Sequence, residues 1–332
     1  MKKRELVPSG SADADEAIPV ATLPLYMQDW LSDCEMRQHS PQTIEVRRIF
    51  LEKFLWFLKQ HKYESCSTRE IRDFFRYLAQ GHNNSEGRWG NPRNNRPLRP
   101  ISIKDYHVCL KGWFNWLVQD GLIDSSPMGK VTAPVARPDQ KEPLNPEKVE
   151  KLLAAARRSA QPKRDEAILS LLLDTGIRAS ELCGLTMHDL NMENRSLRVR
   201  GKGNKYRECY IGRSTSKTLS KYLRGQQRAS DEPVFVSDRG HSSGDALTRS
   251  GLLQLLRRLS HSAGIYPLVS VHQMRRTFAV SILRNGANLP TVQRLMGHTS
   301  ITMTARYLQL AQADIEAQHR AYSPRDFLKG HN

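Results

Sequence analysis

Apolar positions in the first half of the chain recur at helical spacing. In "SPQTIEVRRIFLEKFLWFLKQ" they include Ile44, Phe50, Leu51, Phe54, Leu55 and Leu58, with charged residues between them. Ser40 stands where an N-cap is needed, and Pro41 takes the first helical position, where a missing N–H is harmless. "STREIRDFFRYLAQG" opens with the capping-box pair Ser67 and Glu70 and stops at Gly81. "ISIKDYHVCLKGWFNWLVQDG" predicts a third helix, ended by Gly121. Between the second and third lies "GHNNSEGRWGNPRNNRPLRP", whose Gly, Asn and Pro content predicts a long loop.

Prolines and charges then crowd Ala133 to Pro143, the pattern of a linker. It leads into a helix capped by Asn145 with Pro146 in its first turn, and places a domain boundary near residue 140. The second half is mixed. "RDEAILSLLLDTGIR" reads as a buried helix followed by a Gly turn. "SLRVRGKGNKYRECYIG" reads as a hairpin, with Gly203-Asn204 joining two β-prone runs. Helical patterns follow in "STSKTLSKYLRGQ", "SGLLQLLRRLSHSAG", "VHQMRRTFAVSILRNG", "LPTVQRLMGH" and "SITMTARYLQLAQADIEAQ". The expected fold class is mainly α with a small β-hairpin or sheet, that is, α+β.

Composition narrows the partners. The chain has 332 residues, enough for two domains. Its 51 Lys+Arg against 34 Asp+Glu give a net charge of +17. Such an excess points to a polyanion, nucleic acid first and an acidic membrane surface second. No apolar run approaches the roughly 20 residues of a spanning helix, and the N-terminus lacks a signal-like apolar centre. A cytoplasmic protein without a membrane partner is expected. The five cysteines, Cys34, Cys66, Cys109, Cys183 and Cys209, are odd in number and show no metal-ligand spacing. Reduced thiols, no metal and no cofactor are the expectation. The first 20 residues carry three basic and four acidic groups and read as a disordered tail. From Arg88 to Lys111 there are six basic residues and one acidic one. That segment reads equally as a DNA-backbone contact loop and as a solvated insertion.

Three local patterns carry candidate chemistry. In "DTGIRASELCGL", Arg178 follows a Gly turn and precedes Glu181 at a helix start. In "VRGKGNK", Lys202 sits beside the hairpin turn. In "HQMRRTFA", His272 and Arg275 are three apart on one helix face. His298 follows in "LMGH", and Tyr307 comes nine residues later. Each feature alone is commonplace: a solvated arginine, a hairpin lysine, a structural His-x-x-Arg pair, a C-cap histidine, a core tyrosine. Their order and spacing are not. Arg178, Lys202, His272, Arg275, His298 and Tyr307 resemble, one by one, the catalytic set of the tyrosine recombinase (phage integrase) family. The resemblance covers residues of about 140 to 310 closely and about 20 to 130 more loosely. Arg276 stands where the family often has His, and Cys209-Tyr210 where it often has Val-Pro. Neither position carries the chemistry.

The resemblance implies a compact two-domain enzyme similar to Xer, transposon and integron recombinases. A helical, SAM-like core DNA-binding domain would span residues 21–130, a linker 131–145 and the catalytic domain 146–322, with tails at 1–20 and 323–332. The activity implied is site-specific DNA recombination through a 3′-phosphotyrosyl intermediate and a Holliday junction. Tyr307 would be the nucleophile and Lys202 the general acid for the 5′-oxygen. Arg178 and Arg275 would clamp the non-bridging oxygens, since each presents a planar fork of permanently charged donors. His272 and His298 would add hydrogen bonds. Glu181 would hold a helix start or orient Arg178. The implied partners are double-stranded DNA carrying recombination sites, three further protomers in a homotetramer, and an accessory recombinase or directionality factor. The segment after Tyr307 would dock into a neighbouring protomer or fold back on its own domain. The role would be integration, excision or resolution of a mobile element. Alternatives are an Xer-type chromosome or plasmid dimer resolvase, a type IB topoisomerase-like enzyme, and a non-catalytic DNA-binding protein.

Overall fold

The computed structural model describes residues 17–82, 87–136, 142–201, 206–237 and 244–297, with a few single positions beyond, among them 304, 305, 307 and 308. Lys202, the Gly203-Asn204 turn, His298, most of the N-terminal tail and almost all of the chain after Tyr307 lie outside the described residues. The chain divides into two compact units, Met1–Asp139 and Gln140–Asn332. Among the described residues no helix is long and apolar enough to cross a membrane.

Among its described residues the first unit packs four helices, α1 (Leu23–Met36), α2 (Pro41–Gln60), α3 (Thr68–Ala79) and α4 (Pro100–Gln119). A two-residue strand before α1, β1 (Ile18–Pro19), pairs antiparallel with β2 (Ser65–Cys66) before α3. The caps follow the sequence. Ser40 Oγ accepts the Thr43 N–H at 3.2 Å, and Glu70 reaches back to the Ser67 N–H at 2.8 Å. α1 is a helix the pattern did not predict. Thr22, its N-cap, makes no side-chain cap bond, so the usual start signal is missing.

The core of this unit is aromatic. Phe54 meets Phe74 edge-on at 5.0 Å between centroids, Trp113 at 6.5 Å and Phe114 at 6.3 Å. The long loop is tied to that core. Arg88 is buried, 3% exposed, and its guanidinium donates to the carbonyls of Gln80 and Arg96. Next to it, the Trp89 ring packs on Tyr77 and Trp56 while the Lys53 ammonium lies over its face at 5.6 Å. Arg88 therefore is not a solvated side chain, whereas Arg93, Arg96 and Arg99 are exposed.

The second unit has an aliphatic core. Its elements are α5 (Pro146–Arg157), α6 (Pro162–Thr175), α7 (Ala179–Cys183), the strands β3 (Leu190–Asn191), β4 (Ser196–Arg200) and β5 (Tyr206–Tyr210), then α8 (Arg213–Leu223), α9 (Arg249–Ser262), α10 (Val271–Arg284) and α11 (Leu289–Met296). The three strands form one antiparallel sheet in the order β3-β4-β5, with Val199 opposite Arg207 and Arg200 opposite Tyr206. α6 buries Ala167, Ile168, Leu169, Leu171 and Leu172, so it lies at the centre of the packing rather than on one side of it. With its small sheets, the structure is the α+β class that the pattern predicts. α10 is also tied to the segment before α5. Thr277 Oγ1 accepts the Leu144 N–H, and Gln273 Nε2 donates to the Glu142 carbonyl, both at 2.9 Å.

Candidate active site

Four helix termini and one strand build the site. α6 ends at Gly176 in the left-handed region at φ +56, where a Cβ would run into the Phe278 ring. That turn delivers Arg178 to the N-cap of α7. α10 starts at the Ser270 cap, whose Oγ accepts the Gln273 N–H at 3.2 Å. This leaves His272 exposed in the first turn and carries Arg275 inward, to 4% exposure. α11 ends at Gly297, again left-handed at φ +60. His298 follows it, outside the described residues, as Lys202 does between β4 and β5.

The end of α11 is where the cations meet. A helix C-terminus leaves carbonyls without intrahelical donors. Here three consecutive ones are taken by three arginines. Arg207 Nε donates to the Leu295 carbonyl at 3.0 Å. Arg275 donates to the Met296 carbonyl and, with its other terminal nitrogen, to the Gly176 carbonyl. Arg178 donates to the Gly297 carbonyl at 3.4 Å. The carbonyl ends and the negative pole of the helix favour positive charge, which offsets part of the repulsion among the three guanidiniums.

One carboxylate sits among them. Glu181 is 5% exposed and accepts the Arg178 backbone N–H at 2.7 Å and Arg178 Nη1 at 2.8 Å. Arg207 meets the same carboxylate with both terminal nitrogens, at 2.7 and 2.9 Å. Glu181 thus holds the start of α7 and orients Arg178 at once. Burial pushes its carboxyl up, yet the hydrogen bonds from Arg207 and Arg178 outweigh that and hold it down at about 2. Burial, followed by repulsion from Arg178, pulls Arg275 down to about 10, still charged at neutral pH.

Tyr307 is the other candidate that the structure brings here. It is 2% exposed and packs with Phe278, Ala279, Val280, Leu283, Val292 and Met296, and it interacts electrostatically with Arg275. Arg178 at the start of α7 and Arg275 on α10 thereby meet at the end of α11, with Tyr307 packed against α10 and α11. His272 sits on the same helix as Arg275, one turn earlier. Arg207 was missed from sequence. The signal available was the pleat of β5, which places residue 207 on the same side as buried Cys209, opposite to exposed Tyr206, Glu208 and Tyr210. Among the described residues, no group of three or more His, Cys, Asp or Glu gathers to hold a metal.

The fold is similar to that of solved integrases. A Tn1549 transposon integrase in complex with transposon right end DNA superposes with a TM-score of 0.66 at 21% identity, over 91% of this chain and 99% of that one. A lambda integrase dimer bound to a core site gives a TM-score of 0.65 at 18% identity, over 85% of this chain and 96% of that one. A model of the phage integrase family matches residues 142–314. The tyrosine recombinase XerC of Roseiflexus castenholzii is 33% identical over 298 residues, 87% of this chain and 90% of its own length. XerD of Listeria monocytogenes is 31% identical over 229 residues, 68% of this chain and 77% of its own. The chain belongs to the phage integrase family, the tyrosine-type site-specific recombinases.

Proposed function

We propose that the protein cleaves and rejoins double-stranded DNA at specific sites with Tyr307 as nucleophile. The observation that carries the proposal is the gathering of Arg178 and Arg275 on consecutive carbonyls of one helix end, beside Tyr307. Displacement at phosphorus loads charge onto the non-bridging oxygens, and two fixed guanidiniums oppose that charge. The Tyr307 hydroxyl gives up its proton to water, and its oxygen forms a bond to phosphorus as the bond to the 5′-oxygen breaks. Lys202 supplies the proton to that oxygen, leaving a 5′-hydroxyl and a 3′-phosphotyrosyl bond. A 5′-hydroxyl from another strand reverses the step, so exchange needs neither ATP nor polymerase. His272 and His298 donate to the phosphate. In the conformation described here the phenol is buried, so the reaction requires Tyr307 to leave its apolar cluster when DNA binds.

Two exchanges, one for each strand pair, proceed through a Holliday junction within a homotetramer. The net charge of +17 supports many phosphate contacts and a steep salt dependence. The biological substrate is a mobile element that is integrated, excised or resolved. A second reading, Xer-type resolution of chromosome or plasmid dimers, is favoured by the XerC relative that matches nearly the whole chain.

The test is a nicked suicide duplex built from the DNA flanking the gene, with protein–DNA adducts read on a denaturing gel. Wild type forms an adduct. Tyr307→Phe forms none yet binds DNA normally, because Phe fits the same apolar cluster. An adduct with Tyr307→Phe ends the assignment of the nucleophile. If flanking DNA gives no adduct but chromosomal replication-terminus DNA does, the second reading replaces the first.

A further inference from the structure

Arg207 occupies a place where the pleat of β5 calls for an apolar residue. It faces inward with Cys209 and pairs with buried Val199 across the sheet. Its guanidinium is spent in two directions. Nη1 and Nη2 grip both oxygens of Glu181, and Nε donates to the Leu295 carbonyl. Its stem lies along Gly297, where an added Cβ would stand 2.9 Å from Arg207 Cδ. Gly297 is the residue that passes the chain to His298, and its carbonyl is the one Arg178 binds.

We infer that Arg207 is a positioning residue for strand cleavage, setting Arg178 through Glu181 and the end of α11 through Leu295 and Gly297. It acts through the groups it holds, Glu181 and the Leu295 carbonyl. It joins parts that sequence separates widely: Glu181 is 26 residues away and Leu295 is 88. The inference rests on the proposed role of Arg178 in binding the scissile phosphate.

Lysine cannot replace it. An ammonium has the charge, but it lacks the planar fork that meets a carboxylate with two parallel bonds while a third N–H points elsewhere. In Arg207→Lys, Arg178 would lose its fixed orientation without losing its own charge.

The test uses the full chain and two substrates under single-turnover conditions. One carries the natural scissile phosphodiester; the other carries a neutral methylphosphonate there, which leaves less charge for a clamp to oppose. Arg207→Lys should slow cleavage of the diester by at least about 10-fold, the cost of one misplaced charge-stabilising donor. It should slow cleavage of the methylphosphonate by no more than about 3-fold, since that substrate draws less on Arg178. DNA affinity should stay near wild type. A merely structural role would slow both substrates equally, and that outcome overturns the inference. So does a wild-type diester rate in Arg207→Lys. Should this variant unfold at the assay temperature, Glu181→Asp keeps both charges, shortens the arm and carries the same prediction. Failure of wild type itself to form any adduct would instead sink the proposed function.

Discussion

The two units bury different things. The first buries rings: Phe54, Phe57, Phe74, Trp113 and Phe114 are all below 3% exposure, and Arg88 is the one arginine among its buried described residues. The second buries aliphatic chains and, set among them, the arginines Arg164, Arg275 and Arg276, with half-buried Arg207 beside them. Arg88 and Arg275 do the same thing locally: each uses a guanidinium to bind two carbonyls. Their surroundings differ. Arg88 sits against rings, and its Nε is buried without a hydrogen-bond partner. Arg275 lies within electrostatic reach of Arg178, Arg207, Glu181 and Tyr307. A lone buried arginine fixes a loop. Several around one carboxylate and one helix end hold positive charge ready for an anion. Carbonyl contacts alone therefore do not distinguish scaffold from site; the neighbouring charges do.

The largest expected effect breaks the aromatic side of the comparison. Trp113 is fully buried, with edge-on contact to Phe54 and close contact to Phe114 at 4.9 Å. Trp113→Ala should cost the first unit about 3–5 kcal/mol, as large-to-small core changes do. Denaturant unfolding followed by the remaining tryptophan fluorescence checks it. A loss below about 1 kcal/mol would mean that the rings are not the support argued for here.

The next effect tests the charged side. Glu181 has a folded-state value near 2, below the ordinary carboxylate value of 4.5. Its stabilising contribution is complete above the unfolded value and is lost as pH falls from about 4.5 to about 2. Glu181→Gln removes that acid-side dependence and leaves Arg207 facing a neutral amide. The expected cost at pH 7 is on the order of 3 kcal/mol, from the shift and from breaking a buried ion pair. Unfolding measured across the acid range should show wild type and variant converging as pH drops. Parallel curves would show that this carboxylate does not titrate with folding.

How legible all this was in sequence depends on range. α2, α3 and α5 were readable because Ser40, Ser67 with Glu70, and Asn145 place their cap bonds within three residues. α1 was not, because Thr22 gives no such bond. β3 is two residues long, too short for any alternation to register. At the site, Arg178, Arg275 and Tyr307 stood out through motif order, and the described structure draws those three together. Arg207 did not stand out, since an arginine on a short strand next to tyrosine and glutamate reads as exposed. What makes it inward is contact with residues 26 and 88 positions away, which local pattern does not encode.

The smallest effect separates the two readings of the loop after α3. Its basic residues look alike in sequence, yet Arg88 points into the unit while Arg93, Arg96 and Arg99 are exposed. Arg88→Met keeps the length of the stem and drops the bonds to the Gln80 and Arg96 carbonyls. It also removes a buried, unpartnered Nε, so the net cost should be small, about 1 kcal/mol. If the loop binds the DNA backbone, its work is done by the exposed arginines. Each phosphate contact contributes about 0.9 to the slope of log affinity against log salt. Arg93→Ala with Arg96→Ala should then lower that slope by nearly two, and Arg88→Met should leave it unchanged. A slope indifferent to the double variant assigns the loop to solvent. A slope that falls in Arg88→Met alone would mean that DNA binding draws this arginine out of the core, and the contrast between the two units would no longer hold at this position.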